Sequence, residues 1–284
     1  MCYSVRRNTY CPGDWERVVI MANAQFGKTY INFDADSFDR DIDAIRDDLL
    51  ARKVLIFKNV KLPFSQIISI LKKIHKNDDY IFAEEGRSSR QLFDFYALNN
   101  KQLPSRDEYF ARWGVDRWHI DDSWKELVVD ISCMHMIKSP NCGGNTRFTD
   151  LERAYDCLNQ SDIDFITKMV SPGWNADINE PPMYRKPEFM HPSIRIHPIT
   201  GKRSIFYNGQ NTVAKDNDKW VEYKLRLLDI FEREENLIDM SWGDNDLVIW
   251  DNRSVAHAVM GGFGDGERVY NKIEIGQSSV LTKE

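Results

Sequence analysis

Trp118-His119-Ile120-Asp121 is a short stretch whose meaning depends on a second stretch much later in the chain. The second stretch is followed by Arg268 and reads Ile249-Trp250-Asp251-Asn252-Arg253-Ser254-Val255-Ala256-His257. Two imidazoles and one carboxylate are the protein ligands of a non-haem Fe(II) centre, which keeps coordination positions open for a co-substrate and oxygen. An arginine adds a planar cation that can pair with a carboxylate. Together the two stretches predict an oxygenase that depends on Fe(II), O2 and a 2-oxoacid.

The His119-Ile120-Asp121 triplet is a weak signal by itself, because the chain has six histidines and aspartate is a common residue. If the segment is extended, alternate residues share a face, so His119 and Asp121 point to one side and Ile120 to the other. A nitrogen and an oxygen ligand would then lie on one wall of a cavity. The alternative is a surface histidine that lies beside an aspartate.

The later stretch and its surroundings predict three strands. An apolar strand at 247–250 follows a turn at 243–246, and residues 255–259 form a second strand with His257 among apolar neighbours. A histidine in this setting is commonly a core residue with satisfied hydrogen bonds, which is the alternative to a metal ligand. Residues 267–275 alternate, with Arg268 and Lys272 on the polar face. That face is either exposed to solvent or lines a barrel interior, where the two cations would form an anion site.

Five stretches, in this order, resemble those of the taurine dioxygenase-like family of Fe(II)/2-oxoglutarate oxygenases. They are LARKVLIFKN at 50–59, WHID at 118–121, GGNTRF at 143–148, HPSIRIHPITGK at 191–202, and DLVIWDNR at 246–253, which leads to His257. The resemblance implies a fold of the α+β class with a β core, a double-stranded β-helix (jelly-roll) barrel with flanking helices. It also implies that His119, Asp121 and His257 bind Fe(II), and that Thr146 and Arg268 hold the distal carboxylate of 2-oxoglutarate.

The implied activity is oxidation of a C–H bond, by hydroxylation or desaturation, in a small anionic metabolite derived from an amino acid. Lys272 and Tyr96 are the expected substrate contacts. Taurine-type members often have an arginine at the position of Lys272 that contacts the anionic group of the substrate, and lysine keeps the cation without the planar fork. The substrate is therefore expected to differ from taurine. One branch of the family desaturates amino-acid isonitriles in natural-product biosynthesis, and the aromatic content and Lys272 would suit such a substrate.

Two further positions bear on the resemblance. The family usually has aspartate where this chain has Asn145, and we expect this difference to affect only loop structure. The family's halogenases lack the carboxylate ligand, so the presence of Asp121 argues against halogenation.

The resemblance spans nearly the whole chain and implies one dioxygenase domain over residues 1–284, and the composition favours a cytoplasmic protein. No linker or repeat divides the sequence, and the N-terminus lacks the apolar core of a signal peptide. The net charge is −6 without a basic cluster, which argues against nucleic-acid and membrane partners. Five scattered cysteines are expected to be free thiols. The expected partner is a small-molecule substrate, and the sequence leaves the oligomeric state open, with a homo-oligomer as one option.

Apolar periodicity predicts helices at 39–52, at 65–76 and from Trp220 to near Asn236, with a strand at 53–58. Thr149 and Ser161 are predicted to cap two more helices. Residues 83–100 and 171–192 lack periodicity and are expected to be lid or substrate loops. The remaining histidines are interpreted as structural: His75, His135, His191 and His197.

Two alternatives stay open from the residues alone. One is a metal-binding jelly-roll protein without oxygenase activity, and the other is a zinc hydrolase that uses the same three ligands. Thr146 with Arg268 favours the oxygenase, because a hydrolase has no need of a 2-oxoacid site.

Overall fold

The computed structural model describes residues 26–76, 79–88, 118–141, 143–173, 187–209, 212–214, 220–260 and 267–282. Its α-helices in these ranges are α1 (Ala35–Arg52), α2 (Phe64–His75), α3 (Leu151–Asp156), α4 (Gln160–Ile166) and α5 (Trp220–Phe231), and a short 3-10 helix spans Glu234–Asn236. The strands there are β1 (Lys28–Tyr30), β2 (Val54–Phe57), β3 (Ile81–Ser88), β4 (Leu127–Lys138), β5 (Thr146–Asp150), β6 (Met169–Gly173), β7 (Phe189–Pro192), β8 (Ile194–Ile196), β9 (Arg203–Ile205), β10 (Val213–Ala214), β11 (Leu237–Met240), β12 (Leu247–Asp251), β13 (Val255–Val259) and β14 (Val269–Ser279).

The largest sheet has six strands in the order β1-β2-β12-β4-β14-β3. Its neighbouring strands are antiparallel except for β1 with β2. Because side chains alternate along a strand, β2, β4 and β12 supply apolar side chains to both the outer and the inner side of this sheet. On β12, Ile249 packs with the outer cluster, whereas Val248 and Trp250 pack with the inner one.

A three-stranded sheet, β11-β5-β13, faces the inner side of the large sheet. The core between them joins Phe148 of β5 and Ile238 of β11 to Met134 and Trp250 of the large sheet. The predicted β core with flanking helices is therefore present. The described strands form sheets of six, three, three and two strands, and not one closed barrel.

Helices cover the outer faces of the two facing sheets. The stripes of α1 and α2 pack on the large sheet through Ile45, Leu49, Ile67 and Leu71. Helices α3, α4 and α5 belong to a separate cluster that includes Ala256 of β13. None of the described helices is long and apolar enough to cross a membrane.

Helix boundaries differ from the sequence-based prediction where capping side chains decide them. α1 begins earlier than predicted, because Asp34 accepts a hydrogen bond from the Ser37 backbone N–H at 2.9 Å. Asp150 caps α3, so the prediction of Thr149 was wrong; Thr149 lies in β5. Asn159 caps α4: its side chain accepts a hydrogen bond from the Asp162 N–H, and the Asp162 carboxylate accepts one from the Asn159 N–H. The prediction of Ser161 as the cap was therefore wrong. α5 ends at Phe231, short of Asn236.

The two expected loops are only partly loops. Residues 83–88 belong to β3, which pairs with β14 as the edge strand of the large sheet. Residues 171–173 and 189–192 belong to β6 and β7, which pair with each other. Residues 89–100 and 174–186 lie outside the described residues, as does Tyr96.

A buried ion cluster links α1 to the start of α3. Lys53 follows α1 in a left-handed conformation, and its ammonium lies 2.7 Å from Asp150 and 2.9 Å from Glu152. Its side chain is 8% exposed and each carboxylate is 6% exposed. Removing one partner of such a cluster leaves the other charges without compensation.

We predict that Lys53→Met lowers the free energy of unfolding by about 3–5 kcal/mol, because the buried Asp150 carboxylate loses its cation and Glu152 keeps only Lys202 at 3.6 Å. Urea denaturation followed by circular dichroism measures the change. The control is Lys73→Met, which removes an ion pair with Asp39 that is 51% and 63% exposed. The control should change stability by less than about 1 kcal/mol. Equal effects of the two substitutions would contradict the structural role of Lys53.

Candidate metal centre

Reciprocal backbone hydrogen bonds join the two stretches that the sequence singles out. The His119 N–H donates to the His257 carbonyl at 3.0 Å, and the His257 N–H donates to the His119 carbonyl at 2.9 Å. His119 thus extends the sheet of β13 by one bridge. The two imidazole rings lie side by side with centroids 4.2 Å apart.

The carboxylate of Asp121 closes a three-residue set with these imidazoles. Its Oδ1 lies 3.8 Å from His119 Nε2 and 3.7 Å from His257 Nε2. One ligand atom from each residue lies within 4.8 Å of the others, and within the described ranges this is the one group of three or more such residues. Ile120 points away and is buried in the core, as predicted for an extended segment.

Asn252 holds the carboxylate-bearing segment in place, a role that the sequence analysis missed. Its Oδ1 accepts from the Asp121 backbone N–H at 2.9 Å, and its Nδ2 donates to the backbone carbonyls of Asp121 and Val129 at 3.1 and 2.9 Å. Asn252 is fully buried in the turn between β12 and β13. The sequence showed only a turn there, because an Asx turn and a long-range clamp use the same residue type.

Electrostatics favour a deprotonated carboxylate beside neutral imidazole. Burial acts to raise the pKa of Asp121, but the charge of Lys272 and its hydrogen bond to the carboxylate outweigh burial and hold the pKa well below its usual range. Burial, with the neighbouring His119, holds the pKa of His257 well below its usual value. These are the protonation states that a divalent metal requires of its ligands.

The metal-ligand chemistry of this set fits a divalent cation. The second oxygen of Asp121, Oδ2, is buried and has no hydrogen-bond partner within the described ranges. An unsatisfied buried carboxylate oxygen is costly, and a metal ion would satisfy it.

Arg268 lies on the inner side of the large sheet, so the interior alternative for this strand is the observed one. The residue is 1% exposed, and its Nη2 donates to Thr146 Oγ1 at 3.1 Å. Trp242, which the sequence analysis missed, donates from Nε1 to the same oxygen at 3.0 Å. Burial lowers the pKa of the Arg268 guanidinium, and an anionic ligand would offset that effect.

Lys272 bridges two carboxylates. Its ammonium lies 2.8 Å from Asp121 Oδ1 and 2.7 Å from Glu274 Oε1. Burial acts to lower the pKa of Lys272, but the two carboxylates raise it well above its usual value. The structure buries the Lys272–Glu274 pair, whose side chains are 15% and 6% exposed.

The other histidines make structural contacts, as predicted. His75 and His197 pair with Asp130 and Asp251, both at 2.9 Å. His135 and His191 bond to backbone carbonyls. Asn145 donates to Asp239 at 2.9 Å in the loop before β5.

The facing sheets and the His119–Asp121–His257 set are the features expected of the 2-oxoglutarate-dependent non-haem iron oxygenases. The family model described as "Taurine catabolism dioxygenase TauD, TfdA family" matches residues 20–272, and the chain belongs to this family. Its members use Fe(II), 2-oxoglutarate and O2. Membership decides against the zinc-hydrolase alternative.

Curated relatives are distant. An α-ketoglutarate-dependent 2,4-dichlorophenoxyacetate dioxygenase of Cupriavidus pinatubonensis is 24% identical over 77% of this chain and 81% of its own length. An α-ketoglutarate-dependent sulfonate dioxygenase of Saccharomyces cerevisiae is 25% identical over 77% of this chain and 57% of its own length. An alkylsulfatase of Acinetobacter baylyi is 27% identical, and the match spans 57% of this chain and only 56% of that protein.

Solved structures share the fold. A taurine dioxygenase from Burkholderia xenovorans superposes with a TM-score of 0.65 at 19% identity, covering 92% of this chain and 94% of the other. The structure of AAD-2 in complex with Mn(II) and N-oxalylglycine superposes with a TM-score of 0.66 at 17% identity, covering 92% of this chain and 97% of the other. The fold is therefore that of the taurine dioxygenases.

We predict that Asp121→Ala weakens Mn(II) binding, measured by isothermal titration calorimetry, by more than about 100-fold. Removing a residue that hydrogen-bonds to a metal ligand lowers metal affinity about 10–100-fold, so removing the ligand itself should lower the affinity further. Asp244→Ala is the control, because this exposed carboxylate bonds Ser139 at 2.7 Å and lies outside the three-residue set. Unchanged Mn(II) affinity in Asp121→Ala would locate the metal elsewhere.

Proposed function

We propose that this enzyme oxidises a C–H bond of a small anionic metabolite derived from an amino acid, by hydroxylation or desaturation. The observation that carries the proposal is the contact of Lys272 with Asp121 at 2.8 Å, four residues along the chain from Arg268, which donates to Thr146 at 3.1 Å. His119, Asp121 and His257 would hold the iron. When bound, Fe(II) supplies C–H oxidation with 2-oxoglutarate and O2 as co-substrates.

The hydrogen-bond capacity of Thr146 supports its role toward 2-oxoglutarate. A hydroxyl has two acceptor positions and one donor. Arg268 and Trp242 both donate to Thr146 Oγ1, so its two acceptor positions are filled. Its own O–H is left to donate, and a carboxylate beside Arg268 would accept it. Trp242 thus orients the hydroxyl, and Arg268 supplies the charge for the distal carboxylate.

The rings around Arg268 favour a fixed guanidinium. Its central carbon lies 4.9 Å from the Tyr270 ring centre and 5.7 Å from that of Trp242. Planar stacking of this kind limits the directions in which the guanidinium donates. A site of this shape suits one carboxylate at a fixed distance from the metal.

The substrate side of the proposal rests on Lys272. Two of its three N–H donors serve Asp121 and Glu274, and the third is left for an anionic group of the substrate. The names of two relatives specify anionic substrates, a sulfonate and 2,4-dichlorophenoxyacetate, which supports an anion here as well. Tyr96 remains a predicted substrate contact outside the described residues. Desaturation of an amino-acid isonitrile likewise stays a prediction.

The experiment that tests the proposed function measures succinate from 2-oxoglutarate by the iron-loaded protein under air. A panel of small carboxylates and amino-acid derivatives is added, and mass spectrometry identifies any oxidised product. We expect slow succinate formation without a primary substrate and faster formation with the correct one. Absence of succinate under every condition would rule out oxygenase activity.

We predict that Arg268→Ala raises the KM for 2-oxoglutarate by about two orders of magnitude. Loss of a buried charge partner costs about 2–5 kcal/mol. Arg268→Lys should recover part of the loss, because it restores the charge without the planar fork. Arg226→Ala, which removes a half-exposed partner of Asp162, is the matched control. An unchanged KM in Arg268→Ala would place the co-substrate carboxylate elsewhere.

We predict that Lys272→Met raises the KM for the primary substrate or uncouples succinate formation from substrate oxidation. The KM for 2-oxoglutarate should change little, because Arg268 and not Lys272 faces its distal carboxylate. The assay uses saturating iron, since Lys272 also contacts Asp121. A high KM for 2-oxoglutarate with normal substrate binding would instead mean that Lys272 binds 2-oxoglutarate and Arg268 binds the primary substrate.

A further inference from the structure

The ammonium of Lys272 contacts both the Glu274 carboxylate and Asp121 of the metal set. Lys272 Nζ is 2.7 Å from Glu274 Oε1 and 2.8 Å from Asp121 Oδ1. Residues 272 and 274 are two apart on β14, so their side chains leave the same face of the strand. Glu274 is 5% exposed. The proposed substrate wall therefore contains a negative charge as well as a positive one.

This arrangement changes what Lys272 offers to a substrate. A metal ion bound to Asp121 would offset the charge of that carboxylate, which leaves Lys272 and Glu274 as a neutral pair. A substrate with only an anionic group would gain the ammonium but meet the carboxylate beside it. A substrate with both charges would satisfy both members of the pair.

The surroundings of Glu274 supply further acceptors and few available cations. Ser132 lies directly opposite Glu274 in the β4–β14 register, and its buried Oγ has no hydrogen-bond partner in the described part of the chain. Lys125 is engaged by Asp122 at 2.6 Å and by the Tyr80 hydroxyl at 3.2 Å. Burial, with the charges of Asp121 and Asp122, raises the pKa of the Glu274 carboxyl to about 7, although Lys272 acts to lower it. A bound cation would hold this carboxyl in its ionised form. A donor-rich cation would complement the Glu274 carboxylate and the Ser132 oxygen together.

We propose that Glu274 selects the substrate class: the primary substrate is a zwitterion whose ammonium group binds Glu274 and Ser132 while its anionic group binds Lys272. This inference rests on the proposed function and makes it narrower. A simple carboxylate, sulfonate or sulfate ester lacks the ammonium group that Glu274 recognises, and so does the amino-acid isonitrile predicted from the resemblance. An α-amino acid that keeps its free amine carries the required ammonium and carboxylate groups on the same carbon atom.

The test measures equilibrium binding to the protein loaded with Mn(II) and N-oxalylglycine, by isothermal titration calorimetry. The probes are L-α-amino acids with different side chains, the carboxylic acids of the same skeletons without the amine, and the corresponding amines without the carboxylate. We expect at least one amino acid to bind ten-fold or more tightly than both of its single-charge analogues. Equal binding of an amino acid and its desamino acid, or no binding by any amino acid, would overturn the proposal.

Glu274→Gln separates selection from a role in folding or metal binding. We expect it to weaken the amino acid ten-fold or more, with the desamino acid bound as well as before or more tightly because the Lys272 charge is released. Glu232→Gln, at an exposed site beyond α5, is the matched control and should leave both affinities unchanged. If Glu274→Gln weakens both probes equally, Glu274 only supports Lys272 and the proposal fails. Should that variant not fold, the selectivity of the unaltered protein still decides.

Failure of this inference can be told apart from failure of the proposed function. Succinate formation by the unaltered, iron-loaded protein reports on the oxygenase activity and does not depend on the Glu274 assignment. If succinate forms and simple anions accelerate it as well as amino acids do, the oxygenase stands and the zwitterion proposal is wrong. Acceleration by an amino acid and not by its desamino acid supports both.

Discussion

The reciprocal backbone hydrogen bonds between His119 and His257 are the contact on which the whole site depends. They join a segment before β4 to a strand near the end of the chain, and they set the spacing of the two imidazoles. Asn252 adds a second, polar link from the β12–β13 turn to the backbone of Asp121. Backbone bonds leave little freedom at either position, so the three ligand atoms converge before any metal binds. This convergence buries charged and polar side chains, which is unfavourable unless neighbouring groups of opposite charge pair with them.

Charge compensation explains the residues around that cluster. Lys272 keeps Asp121 ionised, and Asp121 and Glu274 in turn keep Lys272 protonated. Arg268 is buried against rings and the Thr146 hydroxyl, where a carboxylate ligand is the natural complement. A divalent metal, a dicarboxylate and the lysine–glutamate pair give a site whose charges balance when it is loaded. Under the proposal above, the substrate is selected by charged groups that pair with Lys272 and Glu274.

The site is built on strands that come from both facing sheets. The small sheet supplies Thr146 from β5 and His257 from β13, and β14 of the large sheet carries Lys272 and Glu274, with Arg268 immediately before it. Strands packed on both sides move little, so sheet packing fixes the distances between the metal set and the Arg268–Thr146 pair. The core of Phe148, Met134 and Trp250 between the sheets therefore has a direct bearing on catalysis.

The sequence by itself determined the shared face of His119 and Asp121, the alternation of β14 and the apolar stripes of α1 and α2, because each of these signals lies within a few residues. His257 lies far away in the chain, so the resemblance was needed to join it to the candidate ligands. Resemblance over five ordered stretches added the family. Tertiary structure decided whether the polar face of β14 is exposed or interior, since that depends on its pairing with β3 and β4 and on the sheet that covers it. It also decided that residues 83–88 form an edge strand, and that Trp242 and Asn252 serve Thr146 and Asp121. Strand pairing and side-chain contacts of this kind join residues far apart in sequence, and local periodicity carries no information about which partners meet.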